Sequence, residues 1–258
     1  PEGECHVQVT LKGEGETPEA PSPARSSARL RERRLLTTDT ALFVFVLDQP
    51  IDYWPGQFVK LEFPDGVRRA YSMTRPQRSE HRYVVELLIR AKPGGEASTW
   101  LFDQLTVGDG LVVEGPYGRA YAQSHRSSPV VCIAGGTGVA PVMAIADRLS
   151  SESPGRRLDV YVGARTYDDL VLADRLVTLK GRGANVVVSV DQGVDRHHQL
   201  LGPVRSGMAL DHLVNDVPDL RDHDVYLAGP TPMIDAALRR LVREGTACAD
   251  RVFMDRFS

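Results

Sequence analysis

The chain has 258 residues, 42% of them hydrophobic and 25% charged, with a formal net charge of −3. That balance fits one large folded domain or two modest ones and gives no electrostatic basis for non-specific nucleic-acid binding. No apolar run reaches the length needed to span a bilayer.

Cys5, Cys132 and Cys248 are scattered singly. With no CxxC pair, neither a zinc site nor a complete iron–sulfur site is expected within the chain. Cys132 lies in the apolar run Val130–Ala134 and reads as a buried structural thiol. Sparse cysteine use fits a reducing cytoplasm, the expected location.

Residues 1–27 are expected to be a leader, or the remnant of an upstream domain, followed by a linker. His6–Leu11 alternates like a strand. Residues 12–27 are rich in Gly, Pro, Glu and Ser and lack apolar periodicity, which predicts the linker. From residue 28 to about 124 the sequence is strand-like. Runs at Ala41–Leu47, Gln57–Glu62, Arg68–Ser72, Arg82–Ile89 and Leu111–Glu114 are separated by Pro, Gly and Asp turns, and one helix is expected over Ser98–Leu105. Roughly six short strands with one helix predict a small closed antiparallel barrel. The alternating charges of Arg29, Arg31, Arg33 and Arg34 are most simply those of an edge strand; docking an acidic ferredoxin is the other reading.

Residues 125–258 change pattern. Short apolar runs at Val130–Ala134, Leu158–Val162, Asn185–Val190 and Asp224–Ala228 have the character of buried strands. Helices are expected at Val142–Leu149, Leu170–Thr178, Met208–Asn215 and Met233–Arg243. This alternation predicts an α/β domain with a parallel sheet covered on both faces.

A buried strand runs directly into Gly135-Gly136-Thr137-Gly138-Val139-Ala140-Pro141, and a helix follows. Glycines permit close approach of a ligand, the helix start offers unpaired N–H groups to phosphate, and Pro141 suits the first helical turn. No Gly-Lys-Ser/Thr follows, so the loop is not a P-loop. Gly163-Ala164-Arg165 stands where a dinucleotide-binding fold of the usual kind carries an acid. A structural turn remains the plainer alternative. In the barrel half, Arg69-Ala70-Tyr71-Ser72 ends a strand. Its guanidinium suits pyrophosphate, its phenol a planar heterocycle and its hydroxyl a ring nitrogen. Gly95-Glu96-Ala97-Ser98 precedes the helix, with Ser98 expected as its N-cap.

The order Arg69-x-Tyr71-Ser72, Gly95-x-x-Ser98, Gly115-Pro116-Tyr117-Gly118, Gly135-Gly136-Thr137-Gly138-x-x-Pro141 and Ala228-Gly229-Pro230-x-Pro232-Met233 resembles the ferredoxin–NADP reductase superfamily. It looks closest to the reductase components of bacterial aromatic-ring oxygenases. The resemblance covers about residues 28–258 and implies an FAD-binding barrel followed by a nicotinamide-binding α/β domain. By the same resemblance, Arg69 binds the FAD pyrophosphate, Tyr71 stacks on the isoalloxazine and Ser72 hydrogen-bonds N5. Gly95 and Ser98 hold FAD phosphate, and Leu88, Ile89 and Arg90 flank the flavin through their backbone. Gly136, Thr137 and Gly138 carry the nicotinamide dinucleotide, and Gly229, Pro230 and Met233 line its nicotinamide side. The segment Arg251–Phe257 resembles the family's closing strand, with Phe257 as the aromatic beside the flavin and Phe253 as the alternative. Many relatives carry Cys where this chain has Ala228, a departure read as a subgroup difference.

The implied activity is electron transfer: hydride from NAD(P)H to FAD, then single electrons to an iron–sulfur centre or ferredoxin feeding an oxygenase component. The catalytic candidates are Ser72, Tyr71 and Phe257. The [2Fe–2S] centre is expected on a separate partner or on a missing domain of which Cys5 is a remnant. Arg165 either pairs with a 2′-phosphate or stacks on adenine. Asp168 and Asp169 would repel that phosphate, so NADH is favoured over NADPH. The two acids are expected to open the following helix, and His197-His198 reads as a solvated loop rather than a metal site. The rival functions are a free flavin reductase and, from another class, a non-catalytic nucleotide-binding sensor.

Overall fold

The computed structural model describes residues 20–77 and 82–257. Cys5 and the expected strand His6–Leu11 lie outside the described residues. Strands β1 (Ala24–Leu35), β2 (Thr40–Leu47), β3 (Phe58–Glu62), β4 (Arg68–Ser72), β5 (Val84–Arg90) and β6 (Gly110–Tyr117) form one antiparallel sheet in the order β4-β3-β6-β1-β2-β5. A bridge between Met73 and Leu87 brings its two edges together, so the barrel is nearly closed. Period-two alternation sends Phe43, Phe45, Val59, Leu61, Val85, Leu87 and Val113 into one interior cluster. β2 is buried on its outer face as well, because Leu42 packs into the core of the second domain.

Two expectations are corrected here. β1 begins at Ala24, inside the segment read as linker, because Ser26 and Ala28 face the interior and pair with β6. Nor is β1 an edge strand: it lies between β6 and β2. Arg29 and Arg34 are exposed because they occupy the outer face of a central strand, whereas Arg33, opposite Phe43 beyond the irregularity between Leu30 and Glu32, lies on the interior side at the barrel's end. Arg33 donates from Nη1 to the carbonyls of Phe102 and Leu101, tying down the end of the barrel's helix. That helix is a single α-turn, α1 (Glu96–Thr99), continued by a π-helical run over Trp100–Gln104.

The second domain is a seven-stranded sheet in the order β10-β11-β9-β8-β7-β12-β13. Its strands are β7 (Val130–Gly135), β8 (Leu158–Ala164), β9 (Asn185–Val190), β10 (Arg196–His198), β11 (Gly202–Ser206), β12 (Asp224–Pro230) and β13 (Val252–Phe257). All neighbours pair in parallel except the β10–β11 hairpin. Helices α2 (Val139–Glu152) and α3 (Ala173–Gly181) cover one face, and α4 (Ala209–Asp216) and α5 (Thr231–Leu238) cover the other. Burial on both faces explains why these strands read as continuous apolar runs.

The hairpin corrects the reading of His197-His198 as a solvated loop. Both belong to β10, and His198 Nδ1 accepts from the Leu200 and Leu201 N–H groups. Asp168 and Asp169 do not open α3. They form a short 3₁₀ turn, Tyr167–Asp169, in which Asp169 accepts from the Thr166 hydroxyl and N–H; α3 starts four residues later.

Candidate functional site

The strand order places the site. From β7 the chain moves outward through β8 to β9, then returns to β7's other side for β12 and β13. Connections therefore leave β7 and β12 in opposite directions and open a crevice at their C-terminal ends, where open α/β sheets bind ligands. The two glycine motifs of the second domain meet there.

Their glycines do different work. A Cβ at Gly138 would fall 2.1 Å from the Ala228 carbonyl oxygen, and one at Gly135 would fall 2.4 Å from Met233 Sδ. These two glycines let the turn after β7 press against the end of β12. Gly136 is the position open to a ligand: its φ is +55° and nothing lies within 4 Å of where a Cβ would sit. Thr137 is half-buried beside it, and the turn Gly136–Gly138 runs into α2 with no side chain capping its start. Gly229, at φ +155°, would carry a Cβ 2.9 Å from Met233 Cε, and Pro230 beside it is exposed. These residues fit a dinucleotide phosphate at the turn, because its backbone donors meet no competing side chain.

The barrel brings its motif to the same crevice. β5 comes within 8 Å, Cα to Cα, of the Gly136–Gly138 turn. Ser72 at the end of β4 is 7% exposed and donates from Oγ to Asp255 Oδ2 at 2.6 Å. Asp255 stands on β13 opposite Ala228 of β12. Burial pushes the Asp255 carboxyl above the usual carboxylate range, and the Ser72 hydrogen bond only partly opposes it. Tyr71 packs against the barrel cluster, and burial raises its phenol to about 12, so it stays neutral. Arg69 is exposed, and among the described residues its guanidinium meets only the Arg68 carbonyl, leaving donors for an anion. Of the β5 residues, Leu88 faces the second domain and Ile89 the barrel interior, while Arg90 reaches out to Asp39 and Asp169.

Ser98 is not the helix cap. Gly95 holds that position, and no side chain caps the helix start. The Ser98 hydroxyl accepts from the Lys92 N–H at 2.9 Å and lies 3.0 Å from the Gly95 carbonyl, so it closes the 92–98 turn from within. A Cβ on Gly95 would sit 2.9 Å from that hydroxyl, so the turn needs glycine.

The two aromatic candidates separate clearly. Phe253 stacks on Tyr226 at 5.0 Å between ring centroids and belongs to the core at the far end of the sheet. Phe257 pairs with Pro230 at the crevice end. Arg165 is exposed at the end of β8, and its charge reaches Asp191 at the end of β9.

Asp255 was missed in the sequence. The signal was available: a lone acid within the run Val252-Phe253-Met254-Asp255, where burial would demand a partner. Asp191 was missed because a polar residue ending an apolar strand looks like the start of any turn.

Residues 27–121 match an oxidoreductase FAD-binding domain family, and residues 132–239 an oxidoreductase NAD-binding domain family. The chain is 38% identical over 241 residues to the ferredoxin–NAD(+) reductase component of an alkene monooxygenase system from Xanthobacter autotrophicus, covering 92% of this chain and 71% of that one. It is 32% identical to the reductase component of naphthalene 1,2-dioxygenase/salicylate 5-hydroxylase systems from Ralstonia, covering 77% of this chain and 59% of the relative. Its structure superposes on an Amycolatopsis cytochrome P450 reductase with a TM-score of 0.83 at 30% identity, over 92% of this chain and 71% of that one. With a barrel and a switch-point crevice of this construction, the chain belongs to the FAD- and NAD-binding oxidoreductases that include the reductase components of oxygenase systems.

Proposed function

We propose that this chain is the flavin- and nicotinamide-binding part of an electron-transfer reductase serving an oxygenase. When bound, the cofactors supply the chemistry: nicotinamide gives two electrons together and the flavin passes them on singly. The acceptor in this reading is an iron–sulfur centre, on a ferredoxin or on a ferredoxin-like domain joined to this chain. The division into leader, barrel and nucleotide domain belongs to the same reading, with the barrel starting at Ala24, where β1 begins, and the second boundary near residue 124.

One observation carries it. The Ser72–Asp255 hydrogen bond joins the end of the flavin-type motif to the C-terminal edge of the nucleotide-binding sheet. Two ring systems held by the two domains would therefore meet there. Tyr71 offers a neutral ring face to stack on, and Ser72 a hydroxyl oriented by Asp255. Arg69 and the uncapped start of α1 serve one pyrophosphate, and the Gly136–Gly138 turn serves the other. Phe257 and Pro230 shield the crevice from water.

NADH is the expected donor. Asp169 contributes less to this than the sequence suggests, because Arg90 neutralises it. Asp191 and the exposed Asp168 remain near Arg165 and disfavour a 2′-phosphate.

The test is anaerobic turnover with NADH and a [2Fe–2S] ferredoxin. This function requires two ferredoxins reduced per NADH, with FAD retained by the protein. Release of free reduced flavin would favour a flavin reductase, and absence of NADH oxidation would leave only a binding protein.

A further inference from the structure

One face of β5 points at the nucleotide domain and carries Glu86, Leu88 and Arg90 at alternate positions. The series reads acid, aliphatic, base. The nucleotide domain answers with reversed signs. Arg175 on α3 donates from Nη2 to Glu86 Oε1 at 2.6 Å, and Asp169, in the turn before α3, accepts from Arg90 Nη2 at 2.9 Å. Between the two pairs, Leu88 belongs to the same packed cluster as Val139, Ala140 and Leu172.

Both poles are braced from the barrel side. Glu86 is 7% exposed, takes Arg75 Nε at 2.9 Å, and meets the Thr74 hydroxyl in a short contact. Arg90 is held by Asp39 at 2.7 Å. Arg175 also reaches the Thr74 carbonyl at 3.5 Å, two residues beyond Ser72. The Arg175 and Glu86 side chains are 16% and 7% exposed, so solvent screens this pair far less than an ordinary surface ion pair.

We propose that this ladder is a register lock between the domains, and that Arg175 is a positioning residue for hydride transfer. The inference rests on the function proposed above. Sliding the nucleotide domain by one rung, about 7 Å along β5, sets Arg175 beside Leu88 or Asp169 beside it, and strands a buried charge. Only one register satisfies both poles. That register sets the end of β4 against the crevice, where misplacement by a fraction of an ångström is costly.

The experiment is rapid-reaction flavin reduction at saturating NADH, under anaerobic conditions, with wild type, Arg175→Met and Arg175→Lys. NADH deuterated at the transferred position is used in parallel. The expected result is that Arg175→Met retains FAD and its NADH affinity to within about twofold, while the limiting reduction rate falls on the order of tenfold. The isotope effect persists, and Lys restores part of the rate. If the Met variant does not fold, the isosteric Asp169→Asn probes the other pole, with a smaller loss in the same parameter. A limiting rate unchanged from wild type, a loss confined to NADH affinity, or a Lys variant as slow as Met overturns the inference alone. A wild-type chain that holds FAD and is not reduced by NADH overturns the functional reading as well.

Discussion

Two carboxylates sit near opposite ends of the parallel sheet, and they are treated differently. Asp224, at the start of β12, is fully buried and receives Arg126 and Arg156 at 2.9 Å each and Arg251 at 3.4 Å. Asp255, near the end of β13, receives one hydroxyl, and no cation pairs with it among the described residues. The first end is saturated with partners and holds the interdomain connection in place, since Arg156 also bonds the Gln123 and Ser128 carbonyls. The second end is left with an uncompensated acid, glycines and uncapped helix starts. Groups left with unmet electrostatic demand mark where a ligand is received.

Substitutions at the two ends should therefore separate stability from activity. The largest effect is expected at the saturated end. Asp224→Ala leaves the Arg156 guanidinium buried without its carboxylate and should cost about 3–5 kcal/mol. Denaturant melts would register this loss, while the folded fraction keeps its rate of flavin reduction. Gly138→Ala comes next: a Cβ there meets the Ala228 carbonyl, overpacking costs about 1–3 kcal/mol, and the crevice is prised open, so NADH-dependent reduction should be lost in stopped-flow assays while FAD binding survives. Ser72→Ala should slow flavin reduction on the order of tenfold with little change in melting.

Acid sharpens the same contrast at the domain interface. Burial alone would raise the Glu86 carboxyl, but the Arg175 charge, the Thr74 hydroxyl and Arg75 outweigh it and hold it below its ordinary 4.5. A depressed carboxyl stabilises fully above its unfolded value and loses that contribution as pH falls through the folded one. The Glu86 contribution should thus be constant at neutral pH and fade below pH 4.5. Comparing the pH dependence of melting in wild type and Glu86→Gln would detect it. The smallest effect belongs to Asp255→Asn. A raised carboxyl is a cost at neutral pH that disappears below its unfolded value, so this variant should melt within about 1 kcal/mol of wild type or slightly higher at pH 7. That advantage should vanish below pH 3.8, the ordinary value for this group.

The barrel strands β2 to β6 and the four central strands of the sheet were legible because most are apolar or alternating runs ended by turn residues; β4, with two exposed arginines, was legible from the turns that bound it. What was not legible depended on partners distant in sequence. The outward arginines of β1 look the same on an edge or a central strand, since alternation reports the face and not the neighbour. Strands β10 and β11 are three and five residues of mostly polar sequence and carry no periodic signal. Ser98 fits the residue preference for a cap, yet Gly95 takes the position because the 92–98 turn folds back on the Ser98 hydroxyl. The motif residues of the candidate site could be named from the sequence. Asp255 could be marked only as a lone acid in an apolar run that would need a partner; which partner was not legible, because Ser72 lies 183 residues away.

The most direct test of a single crevice shared by the two domains is the absorption spectrum of the FAD-loaded protein before and after anaerobic NADH. The flavin bands should bleach on addition of NADH, and bleach more slowly in Ser72→Ala. A protein that takes up no FAD, or whose bound flavin stays oxidised under NADH, would contradict it.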